Sequence, residues 1–126
     1  MRKNERTELV QKVINIILTG KNEDFSFISA GWLARKVNTS PANLARVFKR
    51  ETGRTLQRFL ISEKLYRSAV LFSEYRDIKV GEAAAAVDYR STSHFISVFK
   101  KNYGASPNMY HRYVPRKRTI SKKKRK

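Results

Sequence analysis

Apolar residues recur at helical spacing along most of the chain. Leu9, Val10, Val13, Ile14 and Ile17 share one face of a predicted first helix, with Gly20 as its stop. KNEDFSFI, residues 21–28, follows as a short polar link with an apolar edge. Ser29 caps a second helix, AGWLARKV, which closes at Asn38. Ser40-Pro41 places a capping hydroxyl before a proline at the first helical position, a strong start signal. That third helix runs to about Thr52 and stops at Gly53. Thr55 caps a long fourth helix through about Tyr75. At about 100° per residue, Leu56 and Leu60 lie on one side of it, and Ile61, Leu65, Ala69 and Phe72 mostly on the other. A stripe that changes sides fits a helix serving two small cores in succession. Val80, Ala83, Ala84 and Val87 mark an amphipathic fifth helix, after which Asp88 and Tyr89 turn the chain. Ser91 caps a sixth helix ending near Gly104, and Ser106-Pro107 opens a short last helix through about Tyr110. No stretch alternates as a strand. The expected fold is all-α, with about seven helices in four parts: a helix-turn-helix subdomain at 1–54, a linker helix at 55–75, a second helix-turn-helix subdomain at 76–114, and a tail at 115–126 too charged to pack.

Two stretches of this pattern are nearly the same unit. SPANLARVFKRETG at 40–53 and STSHFISVFKKNYG at 91–104 stand 51 residues apart and share Ser, Val-Phe-Lys and Gly in register. Each is preceded by a short helix and a tight turn, the second turn one residue longer. Asn38 and Asp88 occupy the turns, where a left-handed backbone is often needed and Asn or Asp tolerates it. Leu44, Val47 and Phe48 form the expected buried face of the first copy, and Phe95, Val98 and Phe99 that of the second. The opposite faces are small, polar or basic: Ala42, Ala45, Arg46 and Lys49, then Thr92, Ser93, Ile96, Ser97 and Lys100. A helix of that character enters a major groove without obstruction and reaches base edges. Two copies head to tail predict an asymmetric site on double-stranded DNA. The expected base-facing residues are Ala42, Ala45, Arg46, Thr92, Ser93, Ile96 and Ser97. The expected phosphate-facing residues are Ser40, Lys49, Arg50, Ser91, Lys100 and Lys101.

Charge strengthens this picture. The chain of 126 residues carries 28 Lys+Arg against 10 Asp+Glu, a formal net charge of +18. A field of that sign draws polyanions, nucleic acid or an anionic membrane. From Tyr89 onward there is no acidic residue, and PRKRTISKKKRK at 115–126 is mostly basic. No apolar run reaches membrane-spanning length, the N-terminus lacks a signal-peptide core, and cysteine is absent. The expectation is a soluble protein of a reducing compartment. His94 and His111 are the only histidines, with no Cys or carboxylate pair at metal-ligand spacing, and no phosphate-binding glycine loop occurs. The chain is therefore read as a non-enzyme without cofactor or metal.

The stretch SHFISVFKKNYGASPNMYHR, 93–112, places Phe95, Phe99-Lys100-Lys101, Gly104, Ser106-Pro107 and Tyr110 at fixed spacing. There, and from about Phe27 to Tyr113, the chain resembles the DNA-binding domain of the AraC/XylS family of bacterial transcription regulators. The resemblance implies seven helices, two helix-turn-helix units on a central linker helix, and promoter binding, usually to activate transcription. It implies a cytoplasmic, nucleoid-associated protein with RNA polymerase as a partner. The length fits the standalone, monomeric type, controlled by its abundance or by a regulatory protein. Asn38 and Asp88 stand where the family usually has Gly, and Ser97 where it usually has Arg. Arg46, the matching position of the first unit, is kept, so direct base reading is expected mainly from that unit.

Plainer readings stand beside these. Phe48, Phe99 and Trp32 are read as core residues, not stacking platforms for bases. Arg46 is either a solvated charge or a DNA contact, and its exposed face favours contact. Thr92, Ser93 and Ser97 are equally ordinary helix surface without the family pattern. The tail is an arm on phosphates, a solubilising extension or a nuclear localisation signal, and the arm is preferred. An architectural protein that coats or bends nucleic acid with little sequence choice is the alternative function.

Overall fold

The computed structural model describes residues 7–113, and the tail expected at 115–126 lies outside them. Among the described residues there are seven α-helices and one short 3-10 helix, with no strand. None of these helices is long and apolar enough to cross a membrane. The described residues up to Glu63 form one compact unit and those from Lys64 another, so the division falls inside the long helix.

In the first unit, α1 (Glu8–Thr19) starts where the Thr7 hydroxyl accepts the Val10 N–H at 3.4 Å. It buries Val10, Val13, Ile14 and Ile17, as their spacing requires. The stretch expected as a polar link instead forms a 3-10 helix, Asn22–Ser26, with Phe25 buried in the core. The Asp24 carboxylate holds it, accepting the Lys21 N–H at 2.9 Å, while the Asp24 carbonyl accepts the Phe27 and Ile28 N–H groups. Ser29 caps α2 (Ala30–Lys36), and α3 (Pro41–Thr52) packs against it over Leu33, Ala34, Leu44, Val47 and Phe48. The backbone N–H of Thr7, at the entry to α1, donates to Glu51 Oε1 on α3 at 2.8 Å. The start of α4 (Leu56–Glu74) adds Leu56 and Leu60, with Phe59 edge-on to Phe48 at 5.5 Å. Trp32, read as a core residue, packs against this core from its margin and is half-buried. Its ring meets the edge of Phe27 at 5.0 Å, and the Lys36 ammonium lies 5.2 Å from its centre. A large amphipathic ring is well placed at such a margin.

The second unit buries Leu65, Ala69 and Phe72 of α4 with Ala83 and Ala84 of α5 (Val80–Ala86), Val87, and Phe95 and Phe99 of α6 (Thr92–Tyr103). Buried Ser68 is satisfied within its helix, its hydroxyl donating to the Leu65 carbonyl at 2.7 Å. This core is aromatic. Phe99 lies 5.6 Å from Phe95, 5.9 Å from Phe72, 5.4 Å from Tyr110 and 4.5 Å from Tyr103, on which it stacks. Those rings fill the face, and Val98, expected among the buried residues, is half-buried. The last helix, α7 (Pro107–Tyr113), runs past the expected end at Tyr110. Two tertiary contacts account for the extra turn. The His111 ring sits 4.9 Å from Phe72, and Nε2 lies 3.0 Å from the Ile78 carbonyl. A carbonyl only accepts, so Nε2 carries the proton.

Candidate nucleic-acid interface

The doubled sequence folds into doubled local geometry. Asn38 takes φ 56° and Asp88 φ 67°, the left-handed conformation that ends α2 and α5. In the first turn the Asn38 and Thr39 N–H groups close onto the Arg35 and Ala34 carbonyls at 3.2 and 2.9 Å. In the second, Asp88 and Tyr89 close onto Ala85 and Ala84 at 3.0 and 2.9 Å. Asn and Asp occupy this region at less cost than other non-glycine residues. The Ser40 hydroxyl accepts the Asn43 N–H and the Ser91 hydroxyl the His94 N–H, each at 3.1 Å. Both second helices end on a left-handed glycine, Gly53 at φ 80° and Gly104 at φ 76°. Both are thus helix-turn-helix units with the second helix stopped at each end by the same device.

Every residue expected to face DNA is solvent-exposed. On α3, Ala42, Ala45, Arg46 and Lys49 fall on one arc, opposite buried Leu44, Val47 and Phe48. Arg50 flanks that arc. Its guanidinium is 3.6 Å from Glu51 Oε2 and more than half exposed, a pair that contributes little and exchanges readily for a phosphate. On α6, Ser93, Ile96, Ser97 and Lys100 form the corresponding arc, opposite Phe95 and Phe99. Lys101 flanks it. Thr92 departs from the arc: its hydroxyl lies towards α5, 3.6 Å from where a Cβ on Gly81 would stand. Ser40 and Ser91 serve as caps as well as exposed residues. Basic residues in the last turn of each helix, Lys49 and Arg50 or Lys100 and Lys101, also complement the helix dipole.

Two groups beside these faces were not singled out by the sequence reading. The Asn43 side chain accepts from Arg46 Nη2 and donates to Thr39 Oγ1 at 2.8 Å. The spacings of four and three residues are the helical-neighbour spacings, so the pairing had a signal in the sequence. In the second unit, the Lys64 ammonium lies 5.3 Å from the centre of the Tyr89 ring, beside the second turn. Burial pushes the Lys64 ammonium below its usual range, with Asp88 pulling it partly back, and burial pushes the Tyr89 phenol up. These partners come from distant sequence positions, and no local pattern marks them.

Comparison with known proteins agrees with this geometry. Residues 33–113 match the family model described as a helix-turn-helix domain. The chain is 34% identical over 102 residues to the HTH-type transcriptional regulator MtrA of Neisseria gonorrhoeae, covering 81% of this chain and 31% of MtrA. It is 31% identical over 83 residues to the xylose operon regulatory protein of Haemophilus influenzae, covering 66% of this chain and 21% of that one. The chain thus spans less than a third of the length of these two relatives. Among solved structures, it is similar to the C-terminal domain of AraT, a response regulator from Geobacillus stearothermophilus. The TM-score is 0.76 at 26% identity, over 90% of this chain and 92% of that domain. The doubled helix-turn-helix fold, the signature residues and these similarities together show that the chain belongs to the AraC/XylS family of DNA-binding transcription regulators.

Proposed function

We propose that this chain is a sequence-specific regulator, an activator, that acts as a monomer in the bacterial cytoplasm and lays α3 and α6 into successive major grooves of an asymmetric promoter site. The observation that supports this reading is the repetition, in the same sequence order, of one capped helix with a small, polar or basic exposed face. In the first unit, Arg46 reads a base, with Ala42 and Ala45 leaving room for close approach. In the second, Ser93, Ile96 and Ser97 face the bases, with Thr92 at the helix entry. Ser40, Lys49, Arg50, Ser91, Lys100 and Lys101 bind phosphate and fix the register. RNA polymerase and a regulatory protein are the partners this reading assigns.

The excess of charge supports a second reading, a basic architectural protein with little sequence choice. Removal of residues 115–126 separates the two. For a specific regulator, the truncated chain keeps its preferred site. The slope of log K against log salt flattens by about 4 to 5 if the tail neutralises about five phosphates. Loss of most affinity for every sequence on that truncation supports the architectural reading and contradicts ours.

A further inference from the structure

Arg46 does not project from α3 as an unsupported side chain. Its Nη2 donates to Asn43 Oδ1, and the Asn43 amide nitrogen donates to Thr39 Oγ1 at 2.8 Å. Thr39 is itself fixed, because its N–H closes the turn onto the Ala34 carbonyl of α2 at 2.9 Å. The chain of bonds runs from the backbone of one helix, through the turn, to a guanidinium on the exposed face of the next. Its chemistry sets its direction. A guanidinium only donates, so the Asn43 oxygen must face Arg46 and the nitrogen must face Thr39. Asn43 is half-buried, unlike its exposed helical neighbours Ala42, Ala45 and Arg46.

The second copy of the unit provides an internal comparison. At the 51-residue offset, Asn43 corresponds to His94 and Arg46 to Ser97. His94 is exposed and lies 5.8 Å from the Tyr89 ring. The tethering amide and the arginine it would tether are thus both missing from the second copy, in the same molecule. Arginine is rich in rotamers, and ordering such a side chain at an interface costs binding free energy. A bond that orders it beforehand removes part of that cost.

We infer that Asn43, oriented by Thr39, is a positioning residue that holds the Arg46 guanidinium ready for a base edge. This rests on the reading of Arg46 as a base contact, so the test separates the two. The full chain and its Asn43→Ala, Arg46→Ala and doubly substituted forms are titrated with a duplex selected from a random pool and with random-sequence duplex of equal length. Asn43→Ala weakens the selected duplex about threefold to tenfold, the scale of ordering one long side chain, and random duplex much less. In the Arg46→Ala background it has no further effect. Thr39→Val acts in the same direction but less, and Thr39→Ser restores the original affinity. The threonine pair also serves if Asn43→Ala does not fold. An Asn43→Ala loss that persists without Arg46, or no loss at all, overturns the inference while leaving Arg46 as a reader. An Arg46→Ala loss equal on both duplexes overturns base reading by Arg46, and the inference with it.

Discussion

Lys64 is the residue whose surroundings oppose its charge most clearly. It is half-buried beside the Tyr89 ring and the second turn, and desolvation lowers its affinity for a proton more than Asp88 restores it. Between its lowered folded value and the ordinary 10.5, the unfolded chain holds the proton more often than the folded one. Stability therefore rises with pH through that window, and below it the full penalty of the half-buried charge applies. The Lys64→Met chain has no such penalty. Its stability advantage over the parent is expected to be largest near neutral pH and to shrink as pH climbs towards 10.5. Thermal unfolding of both proteins across that range checks this, and an advantage independent of pH would contradict it. Tyr89 acts with the opposite sign above its ordinary value of 10.0, where the folded state keeps the proton longer. The comparison with Lys64→Met cancels that contribution to first order.

At the scale of elements, α3 and α6 depend on the same two devices, a serine cap and a left-handed glycine. Ser40→Ala and Ser91→Ala are each expected to cost about 1 kcal/mol of unfolding free energy, measured by urea titration. Near-equal losses are the expected result, because the cap bonds have the same length. These elements were legible from sequence because short-range chemistry fixes them. Ser-Pro starts, glycine stops and apolar spacing located all seven helices, and the repeat exposed the correspondence between the two units. The misses share a physical cause. The 3-10 helix at Asn22–Ser26 depends on an Asp24 carboxylate bond and on burial of Phe25, and the end of α7 depends on His111 reaching Phe72 and Ile78. Periodicity puts Val98 on the buried face of α6, but it does not say how large neighbours share that face. Of the interface, the exposed positions were readable from the same periodicity. The Asn43 tether needed side-chain geometry.

For the whole molecule, a net charge of +18 makes binding to DNA a weak test, since phosphate attraction alone produces it. Specificity is the quantity that distinguishes a regulator from a basic coat, and the ratio of specific to random affinity carries it. The two units differ at the paired position of Arg46 and Ser97, where one good base contact is worth about 1–3 kcal/mol of discrimination. The decisive measurement is selection of bound fragments from a random DNA pool by the full chain, at physiological salt with excess competitor, followed by sequencing. Our account predicts an enriched asymmetric motif with two short elements about one helical turn apart, the better defined one assigned to the first unit by its loss in the Arg46→Ala chain. A pool that stays flat would contradict sequence-specific reading by this chain.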